Sequence, residues 1–169
     1  SAAGSMDHIA FLVVAKAAGI SNLKAIQYVA FQDGAGPAQL MGGHIELIST
    51  GLGDVRGLVE SGDLRVLAST AGTRPSFGIG KDVPTVKEQG IDAEFANWRG
   101  IFGPPEMPEY AVKYWREALG KMVQTQEWKA ACQNFGWVEN YADQPEFLKF
   151  LDEQNALARS ILTELGIAK

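Results

Sequence analysis

Ile91-Asp92-Ala93-Glu94-Phe95-Ala96-Asn97-Trp98-Arg99-Gly100-Ile101-Phe102-Gly103-Pro104-Pro105 is the stretch on which the reading of the fold turns. Phe95, Trp98, Ile101 and Phe102 read as an extended, largely buried run, and Gly100, Gly103, Pro104 and Pro105 cut it off with residues that suit turns. The expectation is a strand that ends abruptly. Before it the chain alternates short apolar runs with short helical patterns, and after it the pattern is helical. The stretch is therefore expected to connect two differently built halves, and a connector of that kind often serves as a hinge.

Upstream, Ile9, Leu12, Val13, Lys16 and Ala17 recur at helical spacing, with Ser5 placed to cap, Asp7 in the first turn and Gly19 at the stop. Ala25 to Phe31 reads as a strand, Gln32 to Pro37 as a turn and Ala38 to Met41 as a short helix ended by Gly42-Gly43. Ile45 to Thr50 reads as a second strand, Asp54 to Glu60 as a short helix behind Gly51-Leu52-Gly53, and Leu64 to Ser69 as a third strand. This βαβαβ rhythm predicts an α/β fold whose parallel sheet is covered on both faces. Thr73 to Lys81 reads as a surface loop. Thr85-Val86-Lys87-Glu88 is a capping box expected to open a short helix that Gly90 ends.

Downstream, Val112, Trp115, Leu119, Met122 and Val123 form one apolar helical face behind Pro108. A second helix is expected from about Gln126 to Asn134, closed by Gly136. A third opens at Asp143 and Glu146 and turns Phe147, Leu151, Ala158, Ile161, Leu162 and Leu165 inward. Trp115, Trp128 and Trp137 read as core.

The 169 residues, 46% of them hydrophobic, suffice for one domain or two small lobes. A net charge of -5 with mixed signs argues against nucleic acid and anionic membrane as main partners. No apolar window approaches the roughly 20 residues of a spanning helix. The lone Cys132 reads as a buried small apolar residue. Ser1-Ala2-Ala3-Gly4-Ser5 is either a short appended stretch or a loop cut from something longer.

Open parallel sheets bind ligands beyond the carboxyl ends of their strands. Three segments are expected to converge there: Gly4-Ser5-Met6-Asp7, Phe31-Gln32-Asp33-Gly34-Ala35-Gly36 and Ser49-Thr50-Gly51-Leu52-Gly53. Each is small or glycine-rich and each opens a helix, so each offers backbone N–H groups and the positive end of a helix dipole to an anion. The candidate ligand-binding residues are Gly4, Ser5, Met6, Phe31, Asp33, Gly34, Ala35, Ser49, Thr50 and Gly51. Phosphate-loop and dinucleotide fingerprints are absent, and His8 and His44 sit in no metal-ligand spacing, so neither cofactor nor metal is expected. A small α/β hydrolase using Ser5 or Ser49 with His8 is the alternative from another class. Arg99 reads either as a clamp on a ligand carboxylate or as an ion-pair partner that steadies the connector.

Several stretches together resemble the solute receptors of tripartite tricarboxylate transporters, the Bug-type periplasmic binding proteins. They are Asp7-His8-Ile9-Ala10 with Lys16-Ala17-Ala18-Gly19, Tyr28-Val29-Ala30-Phe31, Gly62 to Ala68, Asp82 to Gly90 and Asn97 to Pro105. Glu127-Trp128-Lys129 and Asn134-Phe135-Gly136-Trp137 continue the likeness over nearly the whole chain. The resemblance implies a periplasmic-binding-protein type II-like fold whose lobes close over a small carboxylate and hand it to membrane permease subunits. It implies that this chain is the carboxy-terminal part of such a receptor. Residues 1–72 and 82–100 would be the second ligand-binding lobe with its connector strand, and residues 101–169 helices returning to a first lobe that is mostly missing. Self-association through apolar faces left uncovered is a further expectation. The family's carboxylate-holding loops match Gly4 to Asp7 and Phe31 to Gly36. Ala35 stands where many members carry a second glycine, and Met6 where many carry a hydroxyl residue; Met6 cannot donate a hydrogen bond, which points to a more apolar acid. Asp33 reads as a solvated turn residue or as a selector for a ligand amino group.

Overall fold

The computed structural model describes residues 2–32 and 34–167. Its helices are α1 (Met6–Ala17), α2 (Ala35–Met41), α3 (Arg56–Glu60), α4 (Glu109–Met122), α5 (Gln126–Phe135) and α6 (Gln144–Leu165), with short 3-10 turns at Leu23–Ala25, Leu52–Val55 and Ile79–Asp82. The chain separates into two compact units, Ser1–Asn97 with Leu157–Lys169, and Trp98–Ala156.

In the first unit, α1 starts where its sequence says it should. Ser5 caps it, Asp7 lies in its first turn, Lys16 in its last, and Gly19 at φ 89° takes the left-handed conformation that follows the final turn. His8, Ile9, Leu12 and Ala15 fall on one face and are buried. Leu12, Ala15, Leu23 and Ile161 make a core against which Phe11, Val13, Ile26, Leu157 and Leu165 pack. Complete burial of an aliphatic side chain of this size stabilises the fold by roughly 1.5–3 kcal/mol. The exposed Lys16–Glu164 ion pair at 2.5 Å edges the same packing and adds at most about 1 kcal/mol.

A second buried group comprises Val83, Thr85, Val86, Ala93 and Phe95. Backbone bonds stitch it together. Ser69 N–H donates to Pro84 O and Val86 N–H to Ser69 O, both at 2.9 Å, which makes one parallel bridge between Ser69 and Thr85. Phe95 N–H donates to Thr70 O at 2.9 Å, and the Thr70 hydroxyl returns a bond to Phe95 O at 2.8 Å.

The expected parallel sheet is not formed. Among the described residues no strand is present, and the Ser69–Thr85 bridge stands isolated. The segments 25–31, 45–50 and 64–69 run without regular ladders, and Val29, Leu47 and Leu67 are 55%, 54% and 51% exposed. A parallel sheet is covered on both faces. Short apolar runs are compatible with burial in several backbone forms, and periodicity names no hydrogen-bond partner for them. The α/β assignment therefore gives way to helices joined by extended and turn segments. The stretch from Ile91 to Pro105 is corrected with it. Ala93 and Phe95 are buried, but Ile101 and Phe102 are 72% and 65% exposed and no strand spans them.

The capping box does form. Thr85 N–H donates to the Glu88 carboxylate at 2.7 Å, and Glu88 N–H to the Thr85 hydroxyl at 3.1 Å. It closes a single turn rather than a helix. Gly90, at φ 87°, ends it at once, with Ile91 N–H already donating to Val86 O. Four residues between cap and stop are too few for helix propagation.

In the second unit, Thr125 caps α5 through a bond from Trp128 N–H, and Gly136 closes it at φ 68°. Asp143 accepts from Gln144 N–H at the start of α6 and is paired with Arg116 on α4. The Arg116 guanidinium first, and the Gln144 amide second, hold the Asp143 carboxyl at about 2. Trp98 stands edge-on to Phe147 and Phe150, and Gly100 leaves room for the Phe147 ring, whose Cζ would lie 2.5 Å from an added Cβ. Trp115 and Trp137, expected in the core, are exposed.

Leu12→Ala removes buried packing at the centre of the first unit. The expected outcome is a loss of about 2–5 kcal/mol in urea unfolding with an unchanged denaturant slope.

Candidate functional site

The three candidate segments all belong to the first unit. At the start of α1, Gly4 turns left-handed at φ 81°, and Ser5 N–H donates to Ala2 O at 3.0 Å. The Ser5 hydroxyl accepts from His8 N–H at 3.4 Å and lies 3.5 Å from the Tyr28 hydroxyl. The helix has four N–H groups without an intrahelical carbonyl. Ile9 N–H makes the first intrahelical bond, to Ser5 O at 2.9 Å; of the four amides before it, Ser5 N–H donates to Ala2 O and His8 N–H to the Ser5 hydroxyl, and those of Met6 and Asp7 remain.

His8 is buried, and its Nδ1 accepts from Gly4 N–H at 3.0 Å. Its ring stacks on Tyr28 with centroids 3.9 Å apart and planes inclined by 19°. Burial lowers its pKa from the ordinary histidine value. This geometry bears on the hydrolase alternative. Nδ1 is engaged by a backbone amide, and the Ser5 hydroxyl is engaged with the His8 amide and Tyr28, so the side chains of Ser5 and His8 do not form a nucleophile–base pair.

The second segment is tighter than its sequence suggests. Gly34 at φ 73° precedes α2, and Ala35 N–H donates back to Gln32 O at 3.1 Å. Pro37 has no N–H, so Gly36 supplies the remaining early donor of α2. Gly36 is buried, and an added Cβ would stand 2.8 Å from Ile48 Cδ1 and 3.9 Å from the Phe31 ring. A side chain there would displace the end of Ile48. Asp33 lies outside the described residues.

The third segment turns inward on its own carboxylate. Thr50 donates its hydroxyl to Asp54 at 3.4 Å, and Asp54 N–H bonds Gly51 O at 3.0 Å. The Asp54 carboxylate lies 2.7 Å from where a Gly51 Cβ would stand. Ser49, Thr50 and Gly51 are half-buried beside that fixed negative charge, which would repel an anionic ligand. Contacts thus join the α1 start to Tyr28, and the Phe31–Gly36 turn to Ile48. The Ser49–Gly51 turn is answered by Asp54.

Arg99, exposed, donates to its own neighbour's carbonyl, Trp98 O, at 3.2 Å. Among the described residues no group of three or more His, Cys, Asp and Glu gathers to hold a metal ion, and no helix is long and apolar enough to cross a membrane. Cys132 is buried on α5, where burial first and Glu139 second push the thiol pKa up and favour the uncharged form. Sequence reasoning missed Tyr28 as the support of the α1 start. The contact joins residues twenty apart, and no local pattern carries it.

The family model described as the tripartite tricarboxylate transporter family receptor matches residues 1–167. Among solved structures, the chain is similar to a ligand-free TctC solute binding protein from Polaromonas, at 27% identity and a TM-score of 0.74. The match covers 96% of this chain and 55% of that one, so the chain spans little more than half the length of this relative. No curated protein matches.

Ser5→Ala deletes the α1 cap. The expected cost is about 1 kcal/mol in urea unfolding, and a cost near zero would show that the cap does not hold the helix start.

Proposed function

Since the chain belongs to the tripartite tricarboxylate transporter receptor family, we propose that it is the carboxylate-binding portion of a periplasmic solute receptor, which captures a small organic acid and delivers it to membrane permease subunits. The observation that carries this reading is the capped start of a twelve-residue helix, where the Ser5 cap takes the His8 amide and not those of Met6 and Asp7. A carboxylate there gains charge-assisted hydrogen bonds and the positive end of the dipole without a lysine or a metal. The second turn, whose Gly36 is buried, and the Ser49–Gly51 turn, which Asp54 already answers, are weaker candidates.

The side chain of Met6 gives the reading its direction. A thioether donates no hydrogen bond, so beside the two amides the site presents an apolar, polarizable surface. Such a surface suits an acid with an apolar or aromatic body better than a tricarboxylate, whose further charges would need donors of their own. Binding rather than hydrolysis is favoured, because the His8 ring is occupied with Gly4. In this reading residues 101–156 contribute helices to the receptor's other lobe, while Ile161 of α6 packs in the core of the first unit.

Titration calorimetry of the chain against benzoate, succinate, citrate and glutamate tests it. The expected result is binding with benzoate preferred over citrate, and a shift of that preference toward citrate in Met6→Ser. An absence of binding with every acid would contradict the reading.

A further inference from the structure

We propose that His8 is a positioning residue for the α1 start: its neutral ring, stacked on Tyr28, holds Gly4 and so directs the Met6 and Asp7 amides, and protonation of the ring releases them. The inference deepens the reading of this helix start as the carboxylate site and takes its functional meaning from it.

Its physical basis is a set of contacts on one ring. His8 and Thr85 are the buried polar side chains among the described residues, and the bonds of Thr85 are accounted for by its capping box. His8 Nδ1 accepts Gly4 N–H at 3.0 Å. An imidazole nitrogen that accepts a hydrogen bond carries no proton, so the ring is the neutral form with its proton on Nε2. The same residue donates its backbone N–H to Ser5 Oγ, and its ring face is covered by Tyr28 at 3.9 Å. Gly4, Ser5 and Tyr28 are thus held by one side chain and its own amide.

Tyr28 is the titratable side chain that faces the His8 ring, Asp7 precedes it on α1, and α6 presents the apolar Leu162 to Gly4. Burial, the named cause, lowers the pKa of His8. A proton on Nδ1 would set donor against donor at Gly4 N–H, and the positive ring would lie at the positive end of the α1 dipole. Both effects act in the same direction as burial. The folded value lies below the unfolded one, so the unfolded chain takes the proton first. Stability from the neutral ring is complete above about pH 6.5 and is lost as pH falls toward the folded value.

The test is a nitrogen-15 NMR titration of the full chain without ligand, from about pH 8 to about pH 5. The expected result is an Nε2–H tautomer for His8 at the upper end, and a Gly4 amide resonance that moves with the same midpoint as the His8 ring. His8→Asn places a non-titrating acceptor oxygen where Nδ1 stood. In that variant the Gly4 amide is expected to stay near its high-pH position throughout. An Nδ1–H tautomer, a Gly4 amide that does not move as His8 protonates, or one that still follows the wild-type curve in His8→Asn would each overturn the proposal. Should His8→Asn not fold, the wild-type titration decides alone. None of these signals needs a bound acid, so their failure is distinguishable from failure of the carboxylate reading, which calorimetry decides.

Discussion

Burial of one face of α1 is the constraint from which the rest of the first unit follows. Leu12 and Ala15 are covered by Leu23 and by Ile161, a residue almost 150 positions further along the chain. Packing of this kind fixes the rotation of a helix about its axis, because turning the face by one residue would exchange buried aliphatic groups for exposed ones. The direction of the helix start is fixed with it. His8 and Ile9 begin the same buried face, so the apolar packing and the arrangement of Gly4, Ser5 and Tyr28 share one helix register.

What was legible in the sequence was local chemistry. Ser5, Asp7 and Gly19 mark the ends of α1, Gly136 ends α5 and Asp143 opens α6, each for a reason that needs only its neighbours. The family resemblance was legible because several such stretches occur together, and the family match over residues 1–167 agrees with it. What was not legible was pairing. Apolar runs at 25–31, 45–50 and 64–69 invite a sheet, yet a ladder needs a partner in register, and nothing within five or six residues specifies one. The Thr85–Glu88 box shows the same limit on a smaller scale, since its signal is real but the distance to Gly90 decides that a turn forms.

The turns of the candidate site were partly readable for the same reason. Glycines and small residues announce tight turns, and Gly4, Gly34 and Gly36 occupy places where a side chain would strain or collide. Which turns suit an anion depends on neighbours that sequence spacing left unweighted. Asp54 sets its carboxylate against Gly51, Pro37 removes a donor from α2, and Tyr28 braces His8. The three helix starts that look equivalent in sequence are therefore unequal in their surroundings.

The central claim is that backbone amides, with no lysine or metal among them, hold a small acid at the start of α1. Its most direct measurement is a proton–nitrogen correlation spectrum of the labelled chain during a titration with benzoate. The account predicts that the amide signals of Met6 and Asp7 move together and saturate. Saturable shifts confined to other residues, with those two unmoved, would contradict it.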